Sequence, residues 1–232
     1  DCAVAAGGPV GLRAHGRPRR RDASEELQAV FEVLGRSFFQ AAARRRNAPR
    51  TDRVYADMVR RIAEDNLGTT IGVQDLRNRA LAIEKSLLLA VKYGFTNLSQ
   101  LKEVEETLAG LRRNSKNKKT IATVLDPFFS TLEADAQGLG PIAERVDLLV
   151  STANAYLTEK TMNYSQAEGL TISPLSLNGE EGAPLDPSQL SSGERHLLLL
   201  FGSAMIADVG RIILIDEPEL SLGLGWKRNL LN

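Results

Sequence analysis

The stretch Leu190-Ser191-Ser192-Gly193-Glu194, followed by Ile212-Ile213-Leu214-Ile215-Asp216-Glu217-Pro218-Glu219, decides how this chain is read. Ser191-x-x-Glu194 fits a capping box, in which Ser191 accepts the third helical N–H and Glu194 reaches back to Ser191. The same geometry has a functional reading. Free N–H groups of Ser192 and Gly193, the Ser191 hydroxyl and the positive end of the helix dipole make an anion site. Gly193 leaves room for a phosphate to approach the backbone. Taken alone, the stretch leaves both readings open. The helix behind it, His196 to about Ala207, is mostly apolar and is expected to be buried, with His196 too isolated for catalysis.

Ile212 to Ile215 is all apolar and rich in β-branched residues, as expected of a strand buried on both faces of a parallel sheet. Two carboxylates at its C-terminal edge are costly to bury unless they are used. That edge is also where open α/β sheets bind ligands. Asp216 is placed to hold Mg²⁺, directly or through water, and Glu217 to orient or deprotonate an attacking water. The bland alternative is a strand ending in an acidic turn, with Pro218 as the breaker. The interval from Gly193 to Asp216 is 23 residues, room for one helix, a turn at Asp208-Val209-Gly210 and a strand.

Leu-Ser-Ser-Gly-Glu followed by Ile-Leu-Ile-Asp-Glu-Pro-Glu-Leu-Ser-Leu resembles the signature motif and Walker B of ABC-type ATPases. The match is to the AAA-labelled branch that includes overcoming-lysogenization-defect proteins and ATPases of anti-phage and toxin–antitoxin systems. Recombination-repair and chromosome-maintenance ATPases are more distant. The resemblance covers about residues 165 to 232. It implies an α/β fold: the C-terminal part of a P-loop NTPase domain of ABC type, preceded by a mainly helical insertion. It also implies that Ser191, Ser192 and Gly193 touch the γ-phosphate of ATP held by a second subunit, with Mg²⁺ at Asp216 and Glu217 as catalytic base. Two head-to-tail subunits then sandwich two nucleotides, so ATP joins a homodimer and hydrolysis releases it. A nuclease or toxin effector is the partner such a switch would serve, in anti-phage defence or DNA maintenance.

The chain departs from that pattern in three ways. No Gly-x-x-x-x-Gly-Lys-Ser/Thr occurs, since Gly7-Gly8-Pro9-Val10-Gly11 lacks both the Lys and the spacing. The family places that loop upstream of the helical insertion, so the sequence reads as cut before Asp1. Gly223 stands where the branch has a His, and the switch His of the next strand is expected beyond Asn232. The 232 residues alone are therefore expected to turn over no ATP.

Composition adds bounds. The chain is 43% hydrophobic and 25% charged, enough for a core in a soluble protein. Net charge is zero, so no global field argues for nucleic acid or membrane. The charge is uneven: residues 1–61 hold thirteen Arg against seven acids. Arg19-Arg20-Arg21 and Arg44-Arg45-Arg46 lack the interleaved aromatics that stack on bases, so solvated basic stretches are the reading. One Cys and two His exclude a disulfide framework and argue against zinc. No apolar run reaches the roughly 18 residues of a membrane helix, and the start lacks the charged-then-apolar order of a signal peptide. A cytoplasmic protein is expected.

In chain order, residues 1–21 read as a poorly ordered basic tail, 22–163 as a helical arm and 164–232 as the C-terminal lobe. Ser24-Glu25 opens a helix with Leu27, Val30, Phe31 and Leu34. From Arg53 to Asn163 the reading is helical almost throughout. Val54, Met58, Ile62 and Leu67 space one helix, ended by Gly68. Leu76, Ala80, Ile83, Leu87 and Val91 space the next, with Gly94 as C-cap. Leu101, Val104, Leu108 and Leu111 follow, capped by Ser99. A fourth helix begins near Thr120, kinked or restarted at Pro127. A fifth starts at Pro141 with Ile142, Val146, Leu149, Ala153 and Tyr156 on a seam of about two heptads. Glu103, Glu105 and Glu106 read as a solvated helix face. Leu170, Ile172, Leu175 and Leu177 then form a β-like stretch, with Pro174 at an edge or bulge. Asn178-Gly179 signals a tight turn, and a weak second arm runs through Ala183-Pro184-Leu185. A non-enzymatic helical interaction module is the rival reading, with residues 53–163 as its working part.

Overall fold

The computed structural model describes residues 22–46, 56–60, 63, 72–110 and 118–206. Among them are helices α1 (Ala23–Arg46), α2 (Val73–Lys92), α3 (Ser99–Gly110), α4 (Lys118–Asn154) and α5 (Ser192–Ile206). Strands β1 (Lys160–Ser165) and β2 (Gly169–Pro174) form an antiparallel pair, and a 3₁₀ turn, Pro187–Gln189, precedes α5. The described residues are thus mostly helical with a small sheet, a composition compatible with a mixed α/β fold. None of their helices is long and apolar enough to cross a membrane. The expected strand Ile212–Ile215 lies outside the described residues, as do Arg19–Arg21, Leu67, Gly68 and Leu111.

Helix α1 buries Leu27, Phe31, Leu34, Phe38 and Ala42, spaced by three or four residues as one helical face requires. Its cap lies before Ser24. The Asp22 carbonyl accepts the Glu26 N–H at 3.0 Å, and the Asp22 carboxylate accepts the Ser24 hydroxyl at 2.6 Å. Helix α2 buries Leu76, Ala80, Ile83 and Leu87 as the spacing predicts. Gly94 ends it in the left-handed conformation, φ +72°. The Phe95 N–H bonds the Ala90 carbonyl at 2.8 Å and the Gly94 N–H bonds that of Val91 at 3.0 Å, a Schellman ending. Phe95 leaves the helix and is fully buried. Helix α3 is capped by Asn97 rather than Ser99, because the Asn97 side-chain oxygen accepts both the N–H and the hydroxyl of Ser99.

The largest correction concerns α4. One helix of 37 residues runs through both Pro127 and Pro141, where the sequence suggests a break and a fresh start. Each proline forfeits one ladder hydrogen bond and crowds the preceding turn. Against that cost stands a continuous apolar stripe: Ala122, Phe129, Ala136, Ala143 and Val150 are buried at seven-residue steps, as are Leu139, Val146 and Ala153. Fully burying residues of this kind contributes about 1.5–3 kcal/mol for each large side chain, which outweighs two strained turns. The seam is therefore longer than the two heptads legible after Pro141.

Helix also ends sooner than the sequence suggests. Instead of continuing to Asn163, α4 stops at Asn154, and β1 begins at Lys160. Asn154 closes the junction: its amide donates to the Met162 carbonyl at 3.0 Å and its side-chain oxygen accepts the Met162 N–H at 2.6 Å. In the hairpin, Met162 faces Ile172 and Tyr164 faces Leu170, and all four are buried on one side. Gly169, at φ +75°, makes the turn between the strands. Asn178-Gly179 is a tight turn as read, with Gly179 at φ +78° and its N–H on the Ser176 carbonyl at 2.9 Å. The second arm beyond it is slight: Glu181 makes a single bridge with Leu175, and the Leu185 N–H returns to the Ile172 carbonyl at 2.7 Å.

One buried cluster joins these parts. Phe38 of α1, Tyr93 and Phe95 after α2, and Tyr164 of β1 form an aromatic group with centroids 5.5 to 6.5 Å apart. Helix α2 lies along α4, while α1 lies against α5, β2 and α4. At the α1–α5 crossing, Gly202 faces Val30 and Leu34, and an added Cβ would collide with the Val30 side chain. The fold thus sets the N-terminus of α5 on a packed base built from α1, the hairpin and the end of α4.

Candidate functional site

The site is the N-terminus of α5. Leu190, buried, anchors the approach, and the chain enters the helix through an exposed Ser191 and Ser192 and a half-buried Gly193. The capping box forms reciprocally: the Glu194 N–H donates to Ser191 Oγ at 3.2 Å and the Ser191 N–H donates to Glu194 Oε2 at 2.8 Å. The first helical N–H groups have no intrahelical acceptor. Two of the donors near this end are satisfied by the box. Among the described residues, the N–H groups of Ser192 and Gly193 have no acceptor, and they lie at the solvent-facing end of the helix. The two readings of this stretch are compatible, since the cap uses the flanking donors and leaves the middle ones open.

Glu194 is buried, which is rare for a carboxylate without a partner. Its partner is Lys160, at the start of β1, whose Nζ donates to Glu194 Oε1 at 2.8 Å. Burial pushes the Glu194 carboxyl up. The hydrogen bonds from Lys160 and from the Ser191 N–H and hydroxyl outweigh that, and the group ends below its ordinary value. Both carboxylate oxygens are thereby occupied.

Arg195 supports the loop from beneath. Its Nη1 donates to the Leu190 carbonyl at 2.7 Å and the Ser188 carbonyl at 3.1 Å. A second capping box holds the preceding 3₁₀ turn: Asp186 accepts the Ser188 N–H at 2.9 Å, and Gln189 accepts the Asp186 N–H at 2.8 Å. The peptide units on either side of Ser191 are fixed by side chains on both flanks.

Of the residues singled out from sequence, Ser191, Ser192 and Gly193 are brought together here. Asp216, Glu217 and Gly223 lie outside the described residues. His196 is exposed one turn into α5. The helix behind the motif is only partly covered: Leu197, Leu198 and Gly202 are buried, but Ser203, Ala204 and Ile206 are exposed. Arg44 and Arg45 lie in the last turn of α1, where the Arg45 side chain passes over Gly138 of α4. Glu103 and Glu106 are exposed on α3 and Glu105 half-buried.

Sequence reasoning missed Lys160 and Arg195. Lys160 is 34 residues from Glu194 and sits in a stretch read as helix, so no local signal marks it. Arg195 directly follows the motif, and its place at the fourth position from Ser191 was the one available hint. Among the described residues, no group of His, Cys, Asp or Glu is arranged to hold a metal ion. The protein-family models searched include none that matches this chain, and the search of curated proteins returns no match.

Proposed function

We propose that this chain supplies the signature half of a composite ATP site, binding the γ-phosphate of a nucleotide seated in a second, P-loop-bearing subunit. The observation that carries the reading is the pair of open N–H groups at Ser192 and Gly193, framed by a closed Ser191–Glu194 cap at a solvent-facing helix end. Preorganised N–H donors at a helix N-terminus suit the negative charge spread over the γ-phosphate oxygens. Ser191 Oγ accepts the Glu194 N–H, which holds the exposed serine at the edge of the same helix end. The Ile212–Glu219 run supplies the remaining roles in this proposal: Asp216 holds Mg²⁺, and Glu217 orients the attacking water and takes its proton. The ABC-type lobe, the ATP-joined homodimer and an effector nuclease or toxin belong to the same proposal.

The P-loop that cradles the β- and γ-phosphates has no counterpart among the 232 residues. On their own they are expected to show no steady-state ATP turnover. A rate in this chain that Glu217→Gln abolishes would overturn that expectation. Combined with a P-loop-bearing segment, Glu217→Gln is expected to trap an ATP-dependent dimer, visible by light scattering, and Ser191→Arg to prevent it. Association that is indifferent to Ser191→Arg would refute the composite site.

A second reading, a helical interaction module, draws on Leu81 and Leu88 of α2, both exposed and seven residues apart on one face. It predicts that Asp216→Ala and Ser191→Arg leave partner binding untouched, while Leu81→Glu abolishes it.

A further inference from the structure

The end of α4 and the link to β1 grip α5 along its length. Arg145 donates to the Met205 carbonyl at 3.0 Å, in the last turn of α5. The Tyr156 ring packs on Phe201 with centroids 5.6 Å apart. Lys160 reaches Glu194 in the first turn. The three contacts ascend in one segment as they descend in the other, so the two run antiparallel. Asn154 locks the link through its paired bonds to Met162.

The contact at Lys160 is the informative one. A capping box works equally well with a neutral Gln at the Glu194 position. A bare carboxylate at the rim of an anion site would repel the anion, and repulsion grows where water is partly excluded. Glu194 Oε2 is committed to the Ser191 N–H, and Lys160 takes Oε1, making the pair neutral while the cap stays closed. For an ion pair whose members expose only 23% and 9% of their side chains, stability is a weak reason to exist. Neutralising a cap beside open N–H donors is a stronger one.

Building on the γ-phosphate reading of Ser191–Gly193 and resting on it, we propose that Lys160 is a positioning residue for that contact. It cancels the charge of Glu194 and ties the start of α5 to the root of α4. A shift of the long helix then reaches the phosphate-binding backbone through one ion pair, and binding at that backbone resists the shift in return.

The test is a titration of the isotope-labelled chain, together with a P-loop-bearing segment, with ATP·Mg²⁺, following the amide signals of Ser192 and Gly193. Lys160→Met is expected to weaken the response roughly tenfold, and Lys160→Arg to restore most of it. Glu194→Gln alone leaves Lys160 positive beside the donors and is expected to tighten the response several-fold, a change opposite to what a damaged cap would give. Glu194→Gln also keeps the proposal testable if Lys160→Met fails to fold. If Lys160→Met and Glu194→Gln both match the parent while Ser191→Arg abolishes the response, Lys160 has no positioning role and the phosphate reading stands. If the parent itself gives no response at Ser192 and Gly193, the phosphate reading falls and this proposal with it.

Discussion

Two ionic locks in this molecule look alike and do different things. In the arm, Arg79 of α2 meets Glu133 of α4 through two parallel hydrogen bonds of 2.8 and 2.9 Å and Asp126 through a third of 2.7 Å. Its guanidinium lies 5.6 Å over the Phe129 ring. The Glu133 hydrogen bonds, with those of Asp126, raise the Arg79 pKa, so the charge is permanent. In the hairpin, Lys160 meets Glu194 through a single bond. The first lock closes on a filled core, over the fully buried Phe129. The second closes beside two backbone N–H groups that have no acceptor among the described residues. A stabilising contact and a site-shaping contact are told apart by their neighbours, not by their own geometry.

The comparison can be broken from the arm side first. Phe129→Ala empties a fully buried position under the Arg79 lock and is expected to cost about 3–5 kcal/mol in a denaturant melt. Arg79→Met leaves two carboxylates facing each other, but both remain partly exposed. A loss of about 1–2 kcal/mol is expected, with unchanged Ser192 and Gly193 amide signals. Lys160→Met strands the buried Glu194 carboxylate and is expected to cost about 3–5 kcal/mol, but, unlike Arg79→Met, with a clear change at the same amides. Equal effects of Arg79→Met and Lys160→Met on those amides would erase the distinction.

The smallest effect expected is on pH dependence. Glu194 is held below the ordinary carboxylate value of 4.5, burial raising it and the Lys160 and Ser191 hydrogen bonds lowering it further. Its contribution to stability is therefore fully present above about pH 4.5 and is lost as pH falls through the lower folded value. Carbon-detected titration of the Glu194 carboxyl checks this. In Lys160→Met the titration should move upward, because burial is then less opposed.

Much of the fold was legible where one rule acted alone. Leu76, Ala80, Ile83 and Leu87 declared α2 by spacing, and Gly94 declared its end because only the left-handed conformation closes that cap. The capping box at Ser191 was read from four residues and forms as read. What could not be read locally was decided by competition at a distance. Pro141 is a sound helix start by itself, yet Ala122, Phe129, Ala136, Ala143 and Val150 carry one helix through it. Lys160 to Asn163 continued a helical stretch until pairing with Ile172 and Pro174 made it a strand. The partner of Glu194 was invisible for the same reason: a single Lys far away in sequence carries no pattern.

The most direct test of the central claim compares ATP·Mg²⁺ with adenosine and with tripolyphosphate, each in the presence of a P-loop-bearing segment, reading the Ser192 and Gly193 amides of the chain and of its Ser191→Arg variant. Backbone donors that grip the γ-phosphate should shift with ATP·Mg²⁺ and with tripolyphosphate, stay still with adenosine, and lose the response in Ser191→Arg. Shifts that follow adenosine, or that persist in Ser191→Arg, would contradict the claim that this helix end is a phosphate contact.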